Sequence, residues 1–74
     1  MYKVYSNINC PACLALKQRL TEWGIPFENI MVNKDPQARE LLAAHGLRSV
    51  PQLFKTTGEL VANPMDKTRE ELLQ

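Results

Sequence analysis

Tyr2-Lys3-Val4-Tyr5, then Ser6-Asn7-Ile8-Asn9, then Cys10-Pro11-Ala12-Cys13 is the stretch that decides the fold of this 74-residue chain. The first four residues alternate and favour extended backbone, so they read as a strand, and the next four form a polar loop. Cys10 then stands where a helix begins. Pro11 suits the first helical position, because its missing N–H costs nothing there and its φ is already helical. From Leu14 to Trp23 the pattern is helical: Leu14, Leu16, Leu20 and Trp23 are interleaved with Lys17, Gln18, Arg19 and Glu22. Gly24 supplies a C-terminal stop.

Working outward, the elements alternate in type. Pro26 opens a second extended run from Phe27 to Val32, and Asn33-Lys34-Asp35 reads as a turn. Pro36 at a first-turn position leads into a helix over Ala38 to His45, with Leu41, Leu42 and Ala44 toward a core and Gly46 as its end. Two short strands, Gln52 to Lys55 and Glu59 to Val61, are joined by Thr56-Thr57-Gly58 as a hairpin. Asp66 has the chemistry of an N-cap for a last helix, to which Leu72 and Leu73 contribute the apolar side. Trp23, Phe27 and Phe54 fall on apolar stripes and read as core. The order is β-α-β-α-β-β-α, and a crossover helix between the first two strands favours a parallel pair. With a CxxC at the first strand-to-helix turn, this predicts an α/β thioredoxin-like fold: a mixed four-stranded sheet flanked by three helices, in a single domain over residues 1–74.

Composition narrows the function classes. Nine basic and eight acidic residues are interspersed, for a net charge of +1, so no broad basic footprint for nucleic acid or anionic lipid is expected. No run approaches the roughly 18 apolar residues of a membrane span, and no basic segment leads into an apolar one at the start. The expectation is a soluble, cytoplasmic monomer with no membrane partner. The only two cysteines lie three residues apart. A disulfide between them closes a tiny loop and adds little stability, so the pair is better explained by chemistry than by stapling.

That chemistry assigns roles to the two thiols. A helix N-terminus presents unpaired N–H groups and the positive end of the dipole, which favour thiolate over thiol. Thiols at such positions titrate at about 3.5–7.5 against about 8.5 for a free cysteine. Cys10 is therefore the expected nucleophile and Cys13, one turn in, the expected resolving thiol. The alternative is a small carrier module whose thiolates hold a soft metal such as Cu(I), or half of a zinc site. Zinc normally takes four ligands, and beyond the cysteines only His45 is on offer, so no metal site is expected. His45 reads as a helix-end residue. Lys17 lies on roughly the same helix face as the cysteines, yet long basic side chains such as Lys17, Arg39 and Arg48 are mostly just solvated. Val50-Pro51 reads most simply as a proline opening a strand.

The chain also resembles a glutaredoxin, and more particularly the short glutaredoxin-like redoxins that supply electrons to ribonucleotide reductase. The resemblance rests on Cys10-Pro11-Ala12-Cys13 after the first strand, on Gly46-Leu47-Arg48-Ser49-Val50-Pro51-Gln52-Leu53-Phe54, and on Asp66 ahead of the last helix. It implies a dithiol oxidoreductase that reduces protein disulfides, among them that of ribonucleotide reductase. Catalysis would fall to Cys10 and Cys13, the Val50-Pro51 bond would be cis, and Pro11, Ala12, Val50, Pro51 and Asp66 would contact the substrate. No bound cofactor is implied; reducing equivalents would come from glutathione or an NADPH-dependent thioredoxin reductase. Three positions depart from the family pattern. Ala12 stands where dithiol members usually carry an aromatic residue, Asn7 where a basic residue is common, and Asn63-Pro64 where Gly-Gly is usual. Each removes a group that glutathione would use; Pro64, for instance, has no N–H to offer a carboxylate.

Overall fold

The computed structural model describes all residues, 1–74. Its elements run β1 (Tyr2–Ser6), α1 (Pro11–Glu22), β2 (Phe27–Met31), α2 (Pro36–Ala44), β3 (Gln52–Phe54), β4 (Leu60–Val61), a 3-10 turn (Pro64–Asp66) and α3 (Arg69–Leu73). The sheet order is β2-β1-β3-β4. β1 pairs parallel with β2, Val4 opposite Asn29, and antiparallel with β3, Val4 opposite Leu53; β3 and β4 are antiparallel. The mixed four-stranded sheet and three helices are those expected from the alternation of elements.

Because β1 is central, its side chains are buried on both faces of the sheet. Val4 faces a cluster with Leu16, Leu20, Ile25, Leu53, Val61 and Leu72, which brings α1 and α3 onto one side. Tyr5 points the other way, into a cluster with Val32, Ala38, Leu42 and Phe54 under α2. The strand's period of two thus divides the core into two layers. Ser6 ends β1 fully buried, and its hydroxyl donates to Asn29 Oδ1 at 2.6 Å. The pairing continues one residue past β2, where the Val32 N–H donates to the Ser6 carbonyl at 2.8 Å.

Helix boundaries follow local chemistry. Gly24 and Gly46 take φ of +70° and +73° just beyond α1 and α2, the left-handed backbone that glycine accepts without steric cost. In α2 the residues that face the sheet are Ala38 and Leu42, one turn apart, while Leu41 and Ala44 are exposed, contrary to the reading that placed both in the core. Leu73 is likewise 46% exposed, and Leu72 alone carries α3 into the core. Phe54 is buried; Trp23 and Phe27 are half-buried against the first cluster.

The last helix is capped by Thr68 and not by Asp66. Thr68 Oγ1 accepts from the Glu71 N–H at 3.2 Å, and Glu71 Oε1 accepts from the Thr68 N–H at 3.0 Å, a reciprocal capping box. The Thr68 backbone N–H, and after it the Thr68 side chain, hold the Glu71 carboxyl below the usual carboxylate range. Asp66 cannot start the helix, because Lys67 after it is extended at φ −91°, ψ 149°. No helix is long and apolar enough to cross a membrane.

Candidate active site

The site is built where β1 stops. After buried Ser6 the chain turns through Asn7, whose Oδ1 accepts from the Ile8 N–H at 2.7 Å, and through Asn9 at φ +55°. Asparagine is among the few side chains that tolerate this left-handed backbone. The turn delivers Cys10 to the N-cap of α1, extended at φ −120°, ψ 94°, with Pro11 as the first helical residue. Cys10 Sγ accepts from the Cys13 N–H at 3.1 Å, so the sulfur occupies the capping position normally filled by an oxygen. Helical hydrogen bonding then begins, the Leu14 N–H donating to the Cys10 carbonyl at 3.2 Å.

Cys10 and Cys13 are joined as a disulfide with their Cα atoms 5.3 Å apart. The two sulfurs differ in surroundings. Cys13 is 1% exposed and belongs to the inward stripe of α1 with Leu16 and Leu20, whereas Cys10 is half-exposed. Any partner approaching from solvent therefore meets Cys10. An open cleft of about 500 Å³ surrounds it, lined by Asn7, Asn9, Cys10, Pro11, Cys13, Leu14 and Lys17.

A second cleft of about 300 Å³ adjoins the first at Asn7, with Val32, Arg39, Leu42, Leu47, Arg48, Ser49 and Val50 forming the rest of its wall. Val50-Pro51 is a cis peptide bond at the entrance to β3. Among the residues expected at the site, Cys10, Pro11 and Cys13 line the first cleft and Val50 the second. Ala12 is exposed on the first turn of α1, and Pro51 is half-buried behind Val50. Asp66 lines neither cleft. It is exposed in the 3-10 turn, which Arg19 ties to α1 through a 2.6 Å hydrogen bond from Nη1 to the Met65 carbonyl. Leu14 and Ile8, 55% and 65% exposed, flank the disulfide as apolar surface. The helical phase exposes Leu14: residues 13, 16 and 20 face inward, position 14 turns away from them, and Lys17, one turn after Cys13, stays half-buried at the edge of that stripe.

Nothing at the site resembles a metal cage, for no three His, Cys, Asp or Glu side chains gather anywhere in the fold. His45 caps the C-terminus of α2 with its ring edge-on to Phe54, centroids 5.2 Å apart, and takes no part in the cleft. Tyr5, on the α2 side of the sheet, has its phenol pushed above the usual range by burial first and then by Glu28 and Asp35.

A family model described as glutaredoxin matches residues 3–61. The chain belongs to the glutaredoxin family. The glutaredoxin-like protein NrdH of Escherichia coli is 38% identical over 48 residues, a match covering 65% of this chain and 59% of that protein. The chain thus matches about three fifths of that relative's length. The Lactococcus lactis subsp. lactis NrdH protein is 34% identical over 55 residues, covering 74% of this chain and 76% of its own. Among solved structures, a single-site mutant of the thioredoxin-like protein BC3987 superposes over the whole of both chains with a TM-score of 0.82 at 31% identity. The E. coli NrdH-redoxin, described as a glutaredoxin-like protein with a thioredoxin-like activity profile, superposes over 73% of this chain and 71% of its own at a TM-score of 0.70 and 33% identity. These glutaredoxin-family relatives agree with the thioredoxin-like architecture expected from the element order.

Proposed function

We propose that this glutaredoxin-family protein is a dithiol–disulfide oxidoreductase that reduces disulfides in other proteins. One observation carries the reading: a half-exposed sulfur at a helix N-cap, hydrogen-bonded to a backbone N–H and paired with a buried sulfur inside an open cleft. In the reduced protein the Cys10 thiolate attacks one sulfur of a substrate disulfide. A Cys10–substrate mixed disulfide forms, and the other substrate sulfur leaves as a thiolate. The Cys13 thiolate then attacks Cys10 Sγ, releasing the second substrate thiolate and closing the Cys10–Cys13 bond. Two electrons pass to the substrate, and the two protons lost by the cysteines are taken up by the two substrate thiolates. The Cys13 N–H and the dipole of α1 stabilise negative charge on Cys10 before it attacks.

Pro11, Ala12, Val50 and Pro51 form the surface against which the substrate chain lies, with Asp66 at its periphery. Resetting the pair needs two electrons and two protons from outside. An NADPH-dependent thioredoxin reductase suits the site better than glutathione, since Ala12, Asn7 and Pro64 withhold the stacking surface, cation and N–H that glutathione would use. The likeness to NrdH proteins makes ribonucleotide reductase the substrate of choice, with the protein acting as a monomeric single domain in the cytoplasm.

Trapping tests the chemistry. Cys13→Ser, or Cys13→Ala should the buried hydroxyl unfold the chain, accumulates a mixed disulfide through Cys10 when mixed with an oxidised protein substrate. Mass spectrometry that finds no adduct on Cys10 with either variant sinks the reading. Oxidised protein fed NADPH through thioredoxin reductase, and separately through glutathione and its reductase, tests the electron source: NADPH consumption only in the glutathione arm reverses that choice.

A further inference from the structure

One cleft opens at the disulfide and a second adjoins it at Asn7, and every charged side chain lining them is a cation: Lys17 in the first, Arg39 and Arg48 in the second. The chain as a whole is nearly neutral, with eight acidic residues against nine basic ones, so this is a segregation of charge and not an excess. None of the three cations is neutralised within the fold. The one salt bridge of the molecule joins Lys55 and Glu59, and neither lines these two clefts. Arg39 is fixed at the cleft wall by a 2.9 Å hydrogen bond from Nη1 to the Val32 carbonyl, which leaves the rest of its guanidinium unpaired. Acidic residues line other clefts: Glu28 and Asp35 lie beside Tyr5, and Glu22 lies further along α1 in a cleft that shares Leu14 and Lys17.

The clefts meet at Asn7, so Lys17 lies on one side of the junction and the two arginines on the other. Only a chain that runs through both clefts, past Cys10, meets all three cations together. Leu14 and Ile8, exposed beside the disulfide, add apolar surface that such a chain would cover. Resting on the oxidoreductase reading above, we propose that the substrate is a cystine within an extended, acidic segment of another protein, selected by Lys17 on one side of the cystine and by Arg39 and Arg48 on the other. Individual exposed ion pairs are weak, but a like-signed field over a cleft speeds encounter by about 10- to 1,000-fold and fades with salt.

The test is single-turnover exchange between reduced protein and three peptides of equal length, each closed by one intramolecular cystine and flanked by Glu, by Gln or by Lys. At low ionic strength the Glu peptide reacts about tenfold faster than the Lys peptide, with Gln between. Near 1 M salt, where the screening length is only about 3 Å, the ratio falls toward one. Lys17→Glu/Arg39→Glu/Arg48→Glu inverts the ratio. Because it is a ratio, any general change in Cys10 reactivity cancels. Should the triple variant fail to fold, Arg48→Glu alone, at an exposed loop position, lowers the ratio about twofold. Equal rates for the three peptides overturn this inference alone, as does an unchanged ratio in the variants. In a fourth arm with glutathione disulfide, a loss of exchange in the triple variant that is confined to that arm assigns the cations to a small thiol and overturns it too. Absence of exchange with every peptide overturns the oxidoreductase reading and this one with it.

Discussion

Helices α1 and α2 start on the same local plan and put it to different use. Each has an extended N-cap followed by proline: Cys10-Pro11 at φ −120°, ψ 94°, and Asp35-Pro36 at φ −130°, ψ 97°. Each places a buried residue three positions on, Cys13 at 1% and Ala38 at 4% exposure. At α2 the Asp35 carboxylate accepts two amide hydrogen bonds, from Gln37 at 3.0 Å and Ala38 at 3.2 Å. At α1 the Cys10 sulfur accepts one, and its remaining bonding capacity goes to Cys13. An oxygen cap saturates a helix end, whereas a sulfur cap leaves an atom free to exchange partners. The redox pair is a capping motif in which cap and N3 residue are both cysteine.

Removing the Cys10 sulfur costs the protein most. Cys10→Ser abolishes disulfide exchange, measured as turnover of a protein disulfide, because an alcohol neither ionises near neutral pH nor forms the mixed disulfide. The helix survives, since serine is a preferred N-cap; thermal melts in excess reductant place the variant level with reduced wild type or above it. A collapse of the variant in those melts shows that the sulfur holds the fold and overturns the division of labour between the two caps.

The same pair of positions can be given to α2. Asp35→Cys/Ala38→Cys, in a background with Cys10→Ser and Cys13→Ser, reproduces the cap-plus-N3 arrangement on α2. The two new thiols oxidise to a disulfide, seen as the loss of thiol titre, while extra volume at buried position 38 costs about 1–3 kcal/mol. No reduction of protein disulfides follows, because Lys17 lines the cleft at the start of α1 and Val50 and Arg48 the one adjoining it, while none of the three lines the cleft at the start of α2. Turnover by the graft shows that the cap alone suffices and the clefts are idle.

Asp35→Ala is a smaller change confined to α2. It removes both capping hydrogen bonds and costs about 0.5–2 kcal/mol, read as a fall in melting temperature of about 4–8 °C per kcal/mol for a chain of this size. Exchange through Cys10 continues at the wild-type rate. An unchanged melting temperature leaves α2 without need of its cap.

The same comparison explains how much of the molecule is legible before folding. Cap, proline and terminal glycine punctuate α1 and α2 plainly enough to fix the order of elements and the position of the CxxC. The end of the chain is harder, because Asp66 and Thr68 both have N-cap chemistry. Thr68 prevails through its reciprocal partner Glu71, a spacing present in the sequence, and through the extended backbone at Lys67. Leucines are legible as apolar but not by side: Leu41 and Leu73 sit one position away from the buried Leu42 and Leu72, and helix phase decides between them. The charge pattern of the site is the least legible part. Residues 17, 39 and 48 are scattered along the chain, and only the fold carries α1, α2 and the loop before β3 to the two sides of Asn7.

The smallest effect separates the charge of a cap from its hydrogen bonds. Tyr5 has its phenol raised above the ordinary tyrosine range by burial, then by Glu28 and Asp35, so the folded state favours the neutral ring. A group whose folded pKa lies above its unfolded value contributes stability that is complete below the unfolded pKa and is lost as pH rises through the folded one. Denaturant stability therefore falls above about pH 10, and Tyr5→Phe falls less than wild type over the same range. Asp35→Asn keeps a side chain that caps as well as aspartate but removes its charge. Helix α2 stays capped while the Tyr5 titration, followed by phenolate absorbance, moves down toward its ordinary value. If Asp35→Asn leaves that titration in place, burial and Glu28 account for it and the cap acts only through hydrogen bonds. If it moves, the capping charge of Asp35 is felt by Tyr5 across the packed layer. At α1 the cap is itself the titratable group, and no acidic residue occupies its first turn to oppose the thiolate.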